Sequence, residues 1–518
     1  MKTKLIPILL FIFSAFRIHS QVVTFQMTID GPDEDGANYV QPTSDNGFII
    51  VGFVTNMIVG AKQDAFLIKT DSLGNILWNK TYGDTNIQIA TCVQQTDDGG
   101  FIVAGYSSDN SSSIHGFLIK TNSNGDTTWT KTYGTSDCRF YSVKQTIDGG
   151  FIAAGTQNTT GIDGAFLVRV DNLGNVSWIK KYGGTTLTDY VKILSIDQTI
   201  DGGFIAGGRS DLTATQICLL RLDSLGDTLW TKGYNSFSKY ANCVQQTSDG
   251  GYITGGYFDN GSAGGKGACY LKTDGNGNII WQKKYSISSY VVNFIQQTAE
   301  GNYISALTSF GASLDISYLV QLNASGIVSW GKSFQPTMNN ELFCVQQIAS
   351  SGYVMAGYIQ TDSTTTSKEI YLIKTDSLGK SGCSEASSAL FTTNINVLVT
   401  NLSYPINNDT TGTGFLAFPV NNPSVSTNYF CTNVGIKNET PFEVAVSVYP
   451  NPGIGLFEIK SASIISNVEI YNSLGENIYS HYLSTEIAEI DLQNQPSGIY
   501  FLRIVTANGT LTKKMMIE

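Results

Sequence analysis

The residues from which catalytic sites are usually built are scarce in this chain. Its three histidines are His19, His115 and His481, too few and too scattered to favour a histidine-based triad or a zinc site. His115 lies in a variable loop and reads as solvated. Carboxylates remain, and two of them suffice for glycoside hydrolysis, but no motif marks such a pair. The run Asp33, Glu34, Asp35 would support calcium binding, the one cofactor indicated; it lacks the alternating Asp spacing of a calcium loop, and the competing reading is a solvated turn. Tyr39, Tyr141, Tyr190, Tyr240 and Tyr290 recur in or near the loops between repeat units. Rings beside Asp and Asn suit sugars, and the competing reading is that they pack the loops. These residues favour binding over catalysis.

The elements that would position them form an array. The stretch Ala65 to Tyr82 reads as an apolar strand, a Gly-Asn reversal and an alternating strand, and it returns about every fifty residues until Lys380. All six tryptophans (Trp78, Trp129, Trp178, Trp230, Trp281, Trp330) fall at one position of it, with gaps of 51, 49, 52, 51 and 49. Two residues after each stands a lysine, Lys80 to Lys332, and two further an aromatic ring, Tyr82 to Phe334. A period of two means strand. Lysine there is expected to keep its ammonium wet and to discourage pairing of an exposed edge. An earlier strand ends in Gln-Gln-Thr or a variant, at Thr43, Thr96, Thr146, Thr199, Thr247, Thr298 and Ile348, followed by turns such as Asp98-Gly99-Gly100 and a wholly apolar strand. The Asp71-type residues before the second turn, with Asn122 and Asn323 in the same place, read as turn caps.

Four strand signals per unit and seven units predict a seven-bladed β-propeller. The seventh unit loses its pattern after Gly379 and lacks a fourth strand, while Phe25, Met27 and Ile29 repeat the spacing of Trp78, Lys80 and Tyr82. The N-terminal strand is therefore expected to close the last blade. Both kinds of tight turn fall on one rim, which leaves the variable loops and the tyrosines on the other.

The chain is acidic, with a formal charge of −11, which argues against nucleic acid as a partner. Residues 1–20 have the form of a secretory signal peptide, and no later run is long enough to span a bilayer as a helix. Of eight cysteines, Cys92, Cys243 and Cys344 share one repeat position and Cys218 and Cys269 another, as small buried groups would; Cys383 and Cys431, outside the array, are the disulfide candidates.

The array, 21–380, resembles tryptophan-motif propellers, and more closely the exported propeller-repeat proteins of Bacteroidetes-type bacteria. Its Asp71-x-x-Gly74-x-x-x-Trp78 pattern is similar to the docking motif of quinoprotein-type propellers, in which a turn glycine of one blade packs near the tryptophan of its neighbour. Residues 381–443, rich in Ser, Thr and Asn, read as a loosely structured connector. From 444 to 518, alternating apolar residues and turns predict a small β-sandwich. Its residues Tyr449, Pro450, Asn451, Pro452, Gly475, Gly498, Lys513 and Lys514 closely resemble the type A sorting domain of type IX secretion cargo. That resemblance implies the type IX machinery as a partner and delivery to the medium or the cell surface. The expectation is an exported propeller that binds an extracellular glycan or protein, the alternative being a carboxylate enzyme acting on polysaccharide.

Overall fold

The computed structural model describes residues 23–433 and 446–518, except 32–33, 57–61, 85, 109–112, 135–136, 160, 184–189, 213, 236–237, 260–265, 286–288, 312–313, 336, 350–351, 361–366, 384, 388–391, 395–397, 402–405, 409–412, 416–419, 422–424, 473–475 and 507–508. The leader read at 1–20 lies outside the described residues. Two compact units divide at Gly435 and Ile436. Every regular element described is a strand, and no helix is long and apolar enough to cross a membrane.

The first unit is a closed series of seven antiparallel sheets, consistent with propeller blades. Sheet 1 runs in chain order through Asp35–Pro42, Phe48–Asn56, Lys62–Thr70 and Ile76–Tyr82. Sheets 2 to 6 repeat it over 87–133, 138–182, 191–235, 238–285 and 290–334. Sheet 7 has three strands within 340–376, and Thr24–Asp30 pairs with the third, Met27 opposite Leu372. The second strand of each sheet packs on the first strand of the next, and Gly352–Ile359 of sheet 7 packs on Asp35–Pro42 of sheet 1. Each of the seven junctions holds its own apolar cluster; that between sheets 7 and 1 joins Phe25, Met27 and Leu372 to Val40, Ile50 and Phe66.

The Trp-x-Lys-x-Tyr strand exists to dock the next sheet. Gly174 takes a φ of +74°, and a Cβ there would lie 3.0 Å from the Trp129 ring, so only glycine lets the turn sit on the indole. In the same pair of sheets the Tyr133 hydroxyl donates to the Gly174 carbonyl at 2.9 Å, and Lys131 Nζ donates to Leu173 O at 2.8 Å and Asn175 Oδ1 at 3.0 Å. Gly74 meets Phe25 and Met27 instead, so the N-terminal strand docks sheet 1 as the tryptophan strands dock theirs. Asp71 Oδ1 accepts from the N–H groups of Leu73 and Asn75 at 2.8 and 2.9 Å, a turn cap.

Two expectations are corrected here. The lysines of this strand are drawn in, Lys131 and Lys180 buried and the other four half-buried, and the strand is not left as an edge. The stretch 381–443, expected to be a connector, supplies a fifth strand to every sheet. Glu385–Ser387 pairs with sheet 6, Thr392–Asn394 with sheet 5, Leu398–Asn401 with sheet 4, Ile406–Asn408 with sheet 3, Thr413–Phe415 with sheet 2 and Val420–Asn421 with sheet 1. Ser426–Asn433 then returns to sheet 7, on Thr24–Asp30. The physical reason is edge satisfaction: an outer strand has a row of unpaired N–H and C=O groups. The strap has its own period, since Asn394, Asn401 and Asn408 stand opposite Lys283, Lys232 and Lys180. Seven extended residues span roughly 23 Å, enough to step from one outer strand to the next.

The second unit is one hydrogen-bonded sheet in the order Val446–Tyr449, Leu456–Tyr471, Gly498–Thr506, Gly509–Ile517, with Asn477–Asp491 also on Leu456–Tyr471. A break in register between Lys460 and Ile465 divides the long strand: Asn477–Asp491 pairs with both halves, while the other side passes from Val446–Tyr449 to Gly498–Thr506, and both halves feed one core, Phe457 and Ile459 with Val468 and Ile470.

At the tight turns, Asp98 accepts from the Thr96 hydroxyl, the Gly100 N–H and the buried ammonium of Lys120. Partial burial pushes its carboxyl up, but these donors outweigh it and hold the group at about 2, as they hold Asp45 and Asp249. Folding thus favours the ionised form. The contribution is complete above the ordinary carboxylate value of 3.8 and is lost as pH falls through about 2. Urea unfolding between pH 5 and 2 should show stability falling over that window, and Asp98→Asn should flatten the fall. For the docking turn, Gly174→Ala should destabilise by about 1–3 kcal/mol. Gly149→Ala, at a φ of +82° with nothing within 4 Å of the added Cβ, should lose only the backbone part, about 1 kcal/mol. Equal losses in thermal melting would show that the indole contact contributes nothing.

Candidate functional site

The first strands of all seven sheets converge on a central cavity, and the Gln-Gln-Thr motif accounts for how. The first glutamine of one sheet accepts from a backbone N–H of the next: Gln95 N–H to Gln41 Oε1 at 2.7 Å, Gln145 to Gln94 at 2.7 Å, Gln297 to Gln245 at 2.8 Å, Gln347 to Gln296 at 3.0 Å. The second glutamine reaches the other way, accepting from the residue after the threonine in the preceding sheet: Asp97 N–H to Gln145 Oε1 at 2.9 Å, Ile147 to Gln198 at 2.9 Å, Ile200 to Gln246 at 2.8 Å. One step further from the turn, Ser142 and Ser195 and the thiols of Cys92 and Cys344 donate to backbone carbonyls of the next sheet. Among the cysteines of this position, Cys243 also accepts, from Ile295 N–H at 3.1 Å. These cysteines are buried but act as weak polar staples in positions that serine shares, not as packing groups alone.

Three sheets break the glutamine pattern, sheet 1 with Pro42 in the second place and sheets 3 and 4 with Lys144 and Asp197 in the first. Asp197 keeps the acceptor role, taking Gln246 N–H at 3.1 Å, and its other oxygen lies 4.0 Å from Lys144 Nζ. Burial raises the Asp197 carboxyl above its ordinary value, and Lys144 and the backbone N–H groups pull it only partly back. Among the described residues Asp197 is the one carboxylate lining the cavity of about 170 Å³, together with Tyr39, Gln245 and Gln296.

Away from the tight turns the cavity widens into a mouth of about 460 Å³. Its wall takes Asn38, Thr91, Tyr141, Leu194, Asn242, Asn293 and Phe343 from the seven first strands, with Ile89, Phe53 and Tyr106 beside them. The amides are fixed: Asn38 Nδ2 donates to Ala90 O at 2.8 Å, Asn242 to Val292 O at 2.7 Å, Asn293 to Leu342 O at 2.8 Å. Two of the aromatic rings carry cations, Lys192 over Tyr141 at 4.9 Å and Arg139 over Tyr106 at 5.6 Å.

The five tyrosines do not form one group. Tyr39 lies inside the cavity, edge-on to Phe294 at 5.8 Å, its hydroxyl accepting from Gln346 Nε2 at 3.1 Å. Tyr141 is at the mouth. Tyr190 and Tyr240 flank Arg209, 5.1 and 5.0 Å from its guanidinium, which also pairs with Asp211. Tyr290 is buried against Tyr318, ring centres 5.5 Å apart. The acidic run is dispersed: Glu34 faces Lys368 at 3.9 Å, buried Asp35 accepts from Gly31 N–H at 2.6 Å, and Asp33 lies outside the described residues. His115 is in a strand, opposite Ser107 in sheet 2. Cys383 and Cys431 are joined in a disulfide, their Cα atoms 5.8 Å apart. In the second unit Asn451 ties its loop to the last strand, donating to Lys514 O at 2.8 Å and accepting from Met516 N–H at 3.0 Å. Tyr449, Lys513 and Lys514 are exposed, Pro450 and Pro452 flank Asn451, Gly498 opens a strand, and Gly475 lies outside the described residues.

The sequence reading missed Asn38, Phe53, Tyr106, Asn242, Asn293 and Phe343 at the mouth, and Lys144 and Asp197 below it. The signal was positional: most of the wall stands five residues before the Gln-Gln-Thr threonine, and Lys144 and Asp197 are departures from that motif.

Residues 447–518 match the family described as secretion system C-terminal sorting domain. The chain thus carries a type IX sorting domain, which implies interaction with that secretion machinery, and is secreted or attached to the outer cell surface. No curated protein matches the chain. A solved structure of a protein of unknown function from Dyadobacter fermentans is similar over 56% of this chain and 95% of its own, at 12% identity and a TM-score of 0.37. PorZ, a surface component of the type IX secretion system of Porphyromonas gingivalis, is similar over 95% of this chain and 100% of its own, at 8% identity and a TM-score of 0.22. The extracellular domain of a one-component system of B. thetaiotaomicron is similar over 95% and 99%, at 8% identity and a TM-score of 0.19. Likenesses this distant carry no argument about the site.

Because the folded pKa of Asp197 is raised, its ionisation opposes folding as pH rises through that value. Asp197→Asn should therefore melt at least as high as the parent at pH 7, with the advantage gone near pH 3. A lower melting temperature at pH 7 would show that the Lys144 pair outweighs burial.

Proposed function

We propose that the chain is an exported seven-bladed β-propeller that binds a glycan at its central mouth, delivered by a C-terminal domain whose two sheet halves face each other as a small sandwich. The observation that carries the reading is the mouth itself. Half-buried aromatic rings (Phe53, Tyr106, Tyr141, Phe343) surround three fixed amides (Asn38, Asn242, Asn293) on the side away from the tight turns. Apolar faces with a few fixed polar groups are what a small-ligand site requires, and flat rings beside amides match the alternating C–H faces and hydroxyls of a sugar. Export places such a site among extracellular glycans. A carboxylate enzyme finds less support, because the described residues lining the cavity offer Asp197 alone and glycoside hydrolysis uses two acids.

A glycan array probed with the full exported chain, with calcium and again with chelator, tests this directly. A defined set of sugars should bind with their chain length unchanged, and Tyr141→Ala and Phe343→Ala should each weaken binding at least tenfold at an unaltered melting temperature. Loss of binding under chelation would assign calcium a part in recognition. No bound sugar in either condition sinks the carbohydrate reading and leaves a protein ligand.

A further inference from the structure

We propose that residues 383–431 are a redox-closed hoop, laid round all seven sheets after the ring has formed and locked by the Cys383–Cys431 disulfide at the ring's one seam. That seam is in sheet 7, the only sheet assembled from both ends of the array. The N-terminal strand Thr24–Asp30 is held on one side by Glu369–Asp376 and on the other by Ser426–Asn433. The disulfide joins the two clamping segments, since Cys383 follows the first and Cys431 lies within the second.

Buried polar contacts mark the same place. Thr24 Oγ1 donates to Ser381 O at 2.7 Å, Gln26 Nε2 to Ser381 Oγ at 2.7 Å, and the Tyr371 hydroxyl and Gln335 Nε2 both donate to Gln26 Oε1, at 2.5 and 3.1 Å. The start of the strap, the seam strand and sheet 7 therefore form one hydrogen-bonded knot, with Gln26 fully buried at its centre.

The strap's course fixes the order of events. From sheet 7 it visits sheets 6, 5, 4, 3, 2 and 1 and comes back to sheet 7, the reverse of the order in which the chain made them. Its strands on sheets 1 to 6 are two to four residues long, too short to persist without an edge already in place. A strap that has completed the circuit along these edges brings Cys431 back beside Cys383, 48 residues away in sequence. The bond then forms by exchange. The two thiols give up two protons and two electrons to an oxidised protein disulfide of the export compartment, which leaves as a dithiol. The remaining six cysteines are buried thiols within the sheets, whereas Cys383 and Cys431 are half-buried, so oxidant and reductant act on this pair.

Hydrogen exchange on the folded full-length chain, oxidised and then reduced with dithiothreitol, tests the hoop. On reduction the strap-facing amides of Val176–Tyr182, Thr228–Asn235 and Ile279–Tyr285, and those of Thr24–Asp30, should exchange at least tenfold faster together, while first strands such as Val191–Gln198 do not change. The Cys383→Ser/Cys431→Ser variant should reproduce the reduced pattern, and if it does not accumulate, reduction of the folded protein still decides. Changes confined to the residues beside the two cysteines, or none, would overturn the proposal. So would alkylation trapping during refolding, if the Cys383–Cys431 bond formed before the six buried thiols became protected.

Discussion

An antiparallel sheet of four strands has two edges, and the backbone groups along them must find partners or water. Seven such sheets arranged in a closed series bring fourteen edges, and the molecule is organised around what becomes of them. The inner edges meet at the centre, where side-chain oxygens of Gln41, Gln94, Asp197, Gln245 and Gln296 take up backbone N–H groups of the neighbouring sheet. The outer edges are paired by a strap from beyond the array. Sheet 7 would have lacked a strand altogether, and the N-terminal segment fills it.

Between the edges the work is apolar and local. Every junction buries its own cluster of aliphatic and aromatic side chains, so the stabilisation is distributed rather than concentrated in one core. Burial supplies the bulk of it but does not fix register, because apolar faces slide. Register comes from directional contacts: tyrosine hydroxyls on turn carbonyls, indoles on turn glycines, and Lys80 and Lys180 paired with Asp126 and Asp227 in the turn of the next sheet. The pairs at Asp98 and its equivalents join a buried cation to an exposed carboxylate, and their contribution is lost only as pH falls through about 2.

Such a centre leaves little room for chemistry. Donors and acceptors near the tight turns are committed to holding sheets together, and the charges there face each other as Lys144 and Asp197. The wide mouth is different, because its amides are fixed by neighbours and its rings stay half-buried, two of them under the cations Lys192 and Arg139. Rigidity made by the staples below is what a recognition surface above needs. Delivery is handled elsewhere, by a compact second unit with its own core and its own sheet.

The sequence by itself determined the repeat, its strands and their turns, because period-two alternation and glycine turns are local properties that each unit states again. It also marked Phe25, Met27 and Ile29 as a displaced fourth strand, through spacing alone, and the Tyr449-Pro-Asn-Pro452 region as a sorting domain. The tertiary structure decided what those units do to one another. That Cys92 and Ser142 play the same part, that Tyr39 enters the cavity while Tyr290 is buried, and that Tyr190 and Tyr240 gather round Arg209 all depend on contacts between residues roughly 20 to 250 apart in sequence, most of them on different sheets. The strap is the clearest case. Its seven-residue period was present in Asn394, Asn401 and Asn408, but strands of two to four residues have no hydrophobic pattern of their own. They take their structure from the edges they cover, and those edges exist only once the ring has closed.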